Sequence, residues 1–317
     1  MNKDLEILKE RLSSRAWRLN HLYWIIDKEG RMYRFRMNWA QKELHDSMHN
    51  RNDVLKARQL GISTYTSLLE LDFCLFAQHK HCGIIDKTLV DAMGKIEKVK
   101  LAYESLDYLP DNPTKEDRAL AELGSMLKKE VQAKFSKTTV SFSNGSSIRA
   151  GTSLRGGTFQ LLHVSELGYV AAHAPQRARE IVTGAINAVS KEGVVIREST
   201  HEGGKFGLNY EMTKASMEMV GKPLSPLDWK FYFFPWWKNP EYSLVPDDDN
   251  EVHFSEDLQK YFEDLRVEFP CTTVKSCGTP PRQRRSADWS GRSILPRRRR
   301  RFRRWWKGLF TALTLIC

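Results

Sequence analysis

Residues 54–66 read VLKARQLGISTYT and carry side chains well suited to holding phosphate groups. Two cations, Lys56 and Arg58, come first, and Gly61 and the hydroxyl of Ser63 follow. Lysine and arginine neutralise phosphate oxygens, a glycine lets the backbone approach an anion, and a loop hydroxyl can bind Mg²⁺. The stretch therefore predicts a phosphate-binding loop.

The elements on either side of this loop must position it. Short apolar residues precede the loop and predict a strand, and SLLELDFCLFA after it has helical spacing. A helix N-terminus favours anions because its first backbone N–H groups are unpaired and its dipole is positive there. The residues expected to contact a nucleotide here are Lys56, Arg58, Gln59, Gly61, Ile62, Ser63 and Thr64.

The loop departs twice from the common phosphate-binding pattern G-x-x-x-x-G-K-[ST]. Lys56 replaces the first glycine, and Ile62 stands where the lysine is expected. The positive charge has moved to the front of the loop, from where Lys56 or Arg58 can reach back to the phosphates. The alternative is an ordinary strand-to-helix turn with a solvated arginine.

The pattern K-x-R-Q-x-G-x-S resembles the deviant phosphate-binding loop of the large terminase subunits of tailed bacteriophages. These proteins are ATPase motors that package DNA into proheads. The resemblance implies ATP and Mg²⁺ as cofactors, and it predicts further motifs in a fixed order along the chain.

The segment Asn38-Trp39-Ala40-Gln41 precedes the loop and resembles the adenine-recognising glutamine motif of these motors. The amide of Gln41 can donate and accept hydrogen bonds at once, which suits an adenine edge. The alternative is a helix-capping asparagine followed by a surface glutamine.

Residues 152–170, TSLRGGTFQLLHVSELGYV, form a second candidate centre. FQLLHV predicts a buried strand with Glu166 at its carboxyl end, the edge at which open α/β sheets bind ligands. In the related motors this strand usually ends in Asp-Glu, and here it ends in Ser165-Glu166. The resemblance implies that Glu166 is the base that activates water and that Ser63 and Glu166, through water, hold Mg²⁺, with Ser165 a weak partner. An isolated glutamate at a strand end is otherwise often only solvated.

Two further motifs complete the order. Arg155, in a Gly-containing loop, resembles a candidate arginine finger of these motors, and the resemblance implies that it reaches the nucleotide of a neighbouring subunit. The alternative is a hairpin loop with a solvated arginine. GVVIREST predicts a buried strand ending in Glu198, Ser199 and Thr200, which resemble a polar coupling motif that senses the γ-phosphate.

Composition places limits on these predictions. The 317 residues are 41% hydrophobic and 28% charged, as in a soluble globular protein. The net charge is +11, but residues 270–317 contain 13 basic residues and one acidic residue, which leaves 37 basic and 38 acidic residues in 1–269. Global charge therefore does not argue for nucleic-acid binding. No run approaches the roughly 20 apolar residues of a membrane span, and five cysteines without a C-x-x-C pair favour a reducing cytoplasm.

The composition of the chain changes abruptly from Pro270 onward. We expect residues 1–34 to lead into an ATPase domain over 35–269, and residues 270–317 to be a disordered basic tail. The terminase nuclease needs several carboxylates, and the tail offers only Asp288, so we infer that the nuclease is absent. A frameshift near residue 269 explains the tail; a basic nucleic-acid arm or a membrane-surface segment are the alternatives.

The predicted fold is a three-layer α/β P-loop NTPase of the additional-strand, catalytic-glutamate type, with a mostly parallel sheet. A hairpin is expected at Asn144-Gly145, and the aromatic run at 229–242 is expected to be a core strand rather than a base-stacking surface. The resemblance implies translocation of double-stranded DNA in the host cytoplasm, with the portal, the small terminase subunit and a ring of identical copies as partners. A helicase-like motor and an inactive prophage remnant are the competing hypotheses.

Overall fold

A computed structural model describes residues 10–202 and 204–239. Its strands are β1 Trp24–Ile26, β2 Met32–Arg34, β3 Arg51–Lys56, β4 His81–Ile85, β5 Ala133–Phe135, β6 Thr139–Phe142, β7 Ser147–Gly151, β8 Leu161–Ser165, β9 Val194–Ser199 and β10 Lys230–Phe234. Its α-helices are α1 Arg15–His21, α2 Trp39–Asp46, α3 Ile62–Phe76, α4 Leu89–Glu104, α5 Lys115–Glu130, α6 Leu167–His173, α7 Pro175–Glu180 and α8 Leu208–Glu218, and a π-helical turn covers Ile181–Ile186.

Eight strands form one sheet in the order β10-β3-β9-β8-β4-β7-β6-β5. The six strands from β10 to β7 are parallel, and β6 and β5 continue the sheet in antiparallel pairing. This arrangement confirms the predicted α/β fold with a mostly parallel sheet. Strands β1 and β2 form a separate two-stranded hairpin.

Helices cover both faces of the sheet. Successive residues of a strand point to opposite faces, so Ile84 of β4 joins one hydrophobic cluster and Ile85 the other. The larger cluster includes apolar residues of α3 and α4, and the smaller one includes residues of α6, α7 and the π-helical turn. These two cores on either side of one sheet make the three layers.

Two local predictions are confirmed. The turn between β6 and β7 contains Gly145 in the left-handed region, at φ 79°, and the Phe142 amide donates to the Ser146 carbonyl at 2.9 Å. The first part of the aromatic run forms β10, Lys230–Phe234, which pairs in parallel with β3 at one edge of the sheet and ends at the residue before Pro235. Tyr232 and Phe234 are buried in the larger core cluster, so this strand is a core strand.

The N-terminal helix is fastened to the helix that follows the loop. The guanidinium of Arg18 donates to both carboxylate oxygens of Asp72 in α3, at 2.8 and 2.7 Å, and the Tyr23 hydroxyl donates to the same carboxylate at 2.9 Å. Leu19 and Tyr23 lie in the larger core cluster. The segment predicted as a lead-in therefore packs with the sheet domain.

The described residues up to Phe234 form one compact unit, and the second unit begins at Pro235. Within the second unit the structure describes 235–239, with a 3₁₀ turn at Trp236–Lys238. The predictions for residues 270–317 lie outside the described residues. No helix in the described ranges is long and apolar enough to cross a membrane.

Candidate nucleotide-binding site

Three neighbouring parallel strands bring the predicted residues together at their carboxyl ends. Lys56 is the last residue of β3, and Ser165 is the last residue of β8. Strand β9, with Glu198 and Ser199 at its end, lies between them. The predicted residues thus lie together at the carboxyl ends of the strands, which is where ligands bind in open α/β folds.

The loop leads directly into the N-terminus of α3. Gly61 is the N-cap in the left-handed conformation, with φ 69° and ψ 14°, and it provides no side-chain cap for the first turn. A Cβ atom there would lie 2.6 Å from Nε2 of Gln41, so both backbone and space require glycine. The first amides of α3, including those of Ser63 and Thr64, are consequently available to an anion. The side chain of Ile62 points into the core, which leaves only its amide for such a contact.

Gln41 touches this loop, but both ends of its amide are engaged. Its Nε2 donates to the Gly61 carbonyl at 2.9 Å, and its Oε1 accepts from the Asn38 amide at 2.9 Å. Asn38 in turn caps α2 and donates from Nδ2 to the Leu60 carbonyl at 3.0 Å. The structure thus places Gln41, 4% exposed, in a capping box that supports the loop, and its adenine contact stays a prediction.

Lys56 lies between two carboxylates. Its Nζ is 3.2 Å from Oε1 of Glu166 and 3.0 Å from Oε2 of Glu198. Burial alone would lower the pKa of Lys56, but the two acids outweigh burial and raise it above its usual value. Lys56 therefore stays protonated, which a phosphate-binding lysine requires.

Glu198 is fully buried and has four partners. Its Oε1 accepts from Ser63 Oγ at 2.6 Å and Ser165 Oγ at 2.9 Å, and it lies 3.3 Å from His163 Nε2. Burial opposes ionisation, but Lys56, His163 and Ser63 hold the pKa of Glu198 well below its usual range. Burial in turn lowers the pKa of His163 and so favours the neutral imidazole.

Sequence reasoning placed Glu198 in a coupling motif and did not foresee its contact with the loop serine. His163 was missed entirely. The available signal was the presence of ionisable residues in otherwise apolar buried strands, since a buried charge needs a partner.

Glu166 follows β8 in a strained conformation. Its φ of 53° and ψ of 42° lie in the left-handed region, which a non-glycine residue adopts at some cost and often at functional sites. Its amide donates to the Glu198 carbonyl at 2.8 Å. Its side chain is 24% exposed, so the carboxylate remains reachable from solvent.

The remaining coupling residues contact Glu166 and α6. The Thr200 hydroxyl lies 3.4 Å from Oε2 of Glu166, and Ser199 Oγ accepts from the Gly168 amide at 3.0 Å. A change in the position of Glu166 would therefore alter its contact with Thr200, which directly follows β9.

The other predicted cations are exposed. Arg58 and Gln59 lie on the exposed part of the loop, where Gln59 accepts from Lys28 Nζ at 3.0 Å. Arg155 is exposed in its own loop between Leu154 and Gly156, both with positive φ. That loop approaches the π-helical turn, since a Cβ atom on Gly184 would lie 3.6 Å from Arg155 Cγ.

A second buried ion pair lies next to this site. Arg197, beside Glu198 in β9, donates from Nε to Asp53 of β3 at 3.1 Å, and Ser216 of α8 donates to the same carboxylate. The Arg197 guanidinium also stacks over Trp229, 4.9 Å from its ring centroid. This network fixes α8 against the strand that leads into the loop.

Among the described residues, no group of three or more His, Cys, Asp or Glu side chains is placed to hold a metal by itself. The oxygen atoms of Ser63 and of the two glutamates are nevertheless of the type that Mg²⁺ prefers. These few protein oxygens suit a magnesium ion whose remaining ligands are phosphate oxygens of a bound nucleotide and water.

The sequence matches no protein-family profile and no curated protein. Among solved structures, the fold is similar to the large terminase ATPase domain of Thermus phage P74-26, with a TM-score of 0.44 and 13% identity over 74% of this chain and 90% of that chain. A mutant of the same domain aligns with a TM-score of 0.45 at the same identity and coverage. Both are distant likenesses.

Proposed function

We propose that this chain binds ATP with Mg²⁺ and hydrolyses it, and that hydrolysis drives the movement of double-stranded DNA. The observation that carries the proposal is the convergence of Lys56, Ser63, Glu166 and Glu198 where β3, β8 and β9 meet the N-terminus of α3. A loop cation, a loop hydroxyl and strand-end carboxylates beside an uncapped helix start are the parts that phosphoryl transfer needs.

The donor set fits a nucleotide-borne magnesium ion. Ser63 offers a hydroxyl oxygen on the first turn of α3, and Glu198 offers a carboxylate 2.6 Å away. Mg²⁺ keeps several waters and is usually bound by one or two protein oxygens together with substrate phosphates. When bound, the ion would neutralise charge that develops on the phosphate oxygens.

The protein residues divide the remaining tasks. The charge of Lys56 and the amides of α3 bind and orient the phosphates. Glu166 has a partly exposed carboxylate at the strand end, and in the proposed mechanism it accepts a proton from the attacking water. Thr200, beside Glu166, would report the occupancy of the site to β9.

The DNA-packaging part of the proposal rests on the ordered motifs in the sequence. By that resemblance, the partners are double-stranded DNA, the portal, the small terminase subunit and further copies of this chain in a ring, with Arg155 acting between copies. The exposure of Arg155 is compatible with an action across a subunit boundary.

The test is phosphate release from ATP by the full chain, measured with and without linear double-stranded DNA. We expect magnesium-dependent hydrolysis that rises when DNA is added. Hydrolysis that is indifferent to duplex DNA but accompanies separation of its strands would support the helicase-like alternative. A failure to bind ATP at millimolar concentration would overturn the proposal.

A further inference from the structure

Ser165 and Glu198 are paired residues of neighbouring strands. In the parallel register of β8 and β9, Ser165 lies opposite Glu198, and the Ser165 hydroxyl donates to Oε1 of Glu198 at 2.9 Å. A carboxylate carried by either residue therefore reaches nearly the same place. In this chain the carboxylate is on β9, and β8 contributes only a hydroxyl.

The same carboxylate oxygen also faces the loop. Oε1 of Glu198 accepts from Ser63 Oγ at 2.6 Å, which is a short hydrogen bond between an alcohol and a carboxylate. Ser63 lies in the first turn of α3, beside the uncapped amides. A hydroxyl in contact with a strand-end acid is the pair of groups that holds Mg²⁺ against bound phosphates in P-loop enzymes.

We propose that Glu198, in contact with both Ser63 and Ser165, is the acid that positions the Mg²⁺ of bound ATP in this chain. The inference rests on the proposed function and refines it, because it moves the metal-positioning acid from the end of β8 to the neighbouring strand. It also separates two tasks that the sequence had assigned to Glu166, which now serves as the base alone.

The contacts of the two glutamates support this division. Glu166 is partly exposed and directs its oxygens to Lys56 and Thr200. Glu198 is fully buried and directs Oε1 to two hydroxyl groups. A base needs access to water, whereas an acid that fixes a metal through a loop hydroxyl needs a rigid, packed position.

The competing explanation is that Glu198 only pairs with Lys56 for stability. The two explanations differ in one measurable quantity, the dependence of nucleotide affinity on Mg²⁺. We would titrate the full chain with a fluorescent ATP analogue, once in Mg²⁺ and once in EDTA, and compare Glu198→Gln with the unaltered protein.

The amide keeps the shape of the carboxylate but removes its charge. We expect Glu198→Gln to lose about 10–100-fold of the Mg²⁺-dependent gain in affinity, with little change in the affinity measured in EDTA. Spectroscopic titration with Mn²⁺ in the presence of the analogue should show the same loss. Glu180→Gln, which removes an exposed carboxylate of α7, is the matched control and should keep the gain.

A double variant tests the register argument and remains informative if Glu198→Gln does not fold. Ser165→Asp combined with Glu198→Ser returns the acid to β8 and should recover most of the Mg²⁺-dependent gain. A folded Glu198→Gln protein that keeps the full gain would overturn the inference, and so would a folded double variant without any gain. If the unaltered chain binds no ATP, the proposed function fails and this inference fails with it; if it binds ATP with Mg²⁺-dependent affinity, only the role of Glu198 is in question.

Discussion

The ammonium group of Lys56 lies 3.2 Å from Oε1 of Glu166 and 3.0 Å from Oε2 of Glu198. One buried cation is thus balanced by two acids. Any substitution among the three changes the charge balance of the other two, so binding, hydrolysis and folding must be measured separately for each.

Glu166→Gln should remove hydrolysis and spare nucleotide binding. Loss of a positioned base costs roughly 10²–10⁴-fold in rate, whereas the amide still fits beside Lys56. Phosphate release and analogue affinity measure the two properties. Glu180→Gln, an exposed acid of α7, is the control; near-normal turnover of the Glu166 variant would remove Glu166 from the role of base.

Lys56→Ala and Arg58→Ala should differ in their effect on folding. Both should weaken ATP binding, because each removes a loop cation. Lys56→Ala also leaves two carboxylates without their buried partner and should lower the melting temperature, whereas Arg58 is exposed and its loss should not. Should both variants bind ATP with unaltered affinity, the front-of-loop assignment is wrong.

Ile62→Lys follows from the same loop. A lysine there would restore the lysine of the common motif, but Ile62 is 1% exposed and lies in the core. We therefore expect destabilisation rather than improved binding, because a buried unpaired charge is costly. A melting curve of this variant distinguishes the two outcomes.

Arg155 is expected to act between subunits. In an assembled ring an arginine finger contributes about 10³–10⁵-fold in rate, so Arg155→Ala should be severe in assemblies and mild in monomers. Mixed rings of Arg155→Ala and Glu166→Gln subunits should recover activity at some interfaces. Arg179→Ala, another exposed arginine, controls for loss of surface charge; verified mixed rings without recovery would argue against action across subunits.

Glu70 predicts a pH-dependent stability. This residue of α3 is fully buried, and neither of its carboxylate oxygens has a hydrogen-bond partner among the described residues. Burial and the nearby Cys74 raise the pKa of Glu70 well above its usual value, against a smaller effect of Lys95. The folded protein therefore holds a proton that the unfolded chain releases above its ordinary pKa.

The sign follows from that difference. The contribution of protonated Glu70 is fully present below the unfolded pKa and is lost as pH rises towards the folded pKa, by up to about 1.4 kcal/mol per pH unit. Glu70→Gln should raise the melting temperature at pH 8 more than at pH 4.5. Glu97→Gln, an exposed acid of α4, should change neither value, and equal shifts at both pH values for Glu70→Gln would contradict the assignment.

The sequence predicted features that depend on neighbours along the chain. The loop at Gly61, the turn at Gly145 and the strand before Pro235 each have a local cause that a single stretch of residues contains. The order of the motifs also placed Lys56 and Glu166 at one edge of a parallel sheet, because carboxyl ends of parallel strands meet there.

The features that the sequence did not predict depend on register. Ser165 meets Glu198 only because β8 and β9 pair in one particular alignment. A shift of one strand by one residue would place the two side chains on opposite faces of the sheet. Gln41 shows a different limit. Its residue type suits both an adenine contact and a capping box with Asn38, and only the folded chain shows that its Nε2 also donates to the Gly61 carbonyl.

The sheet order also has a consequence for how the chain folds. Strand β3 is flanked by β9 and β10, and contacting residues of these pairs are 144 and 180 positions apart, as for Asp53 with Arg197 and Asn52 with Tyr232. Closing such long loops is slow compared with forming local hairpins. During synthesis on the ribosome, β3 is made early. It cannot pair with both β9 and β10 until residue 234, the last residue of β10, has emerged. The site is therefore expected to be completed late in folding, after the hairpin of β6 and β7 has formed.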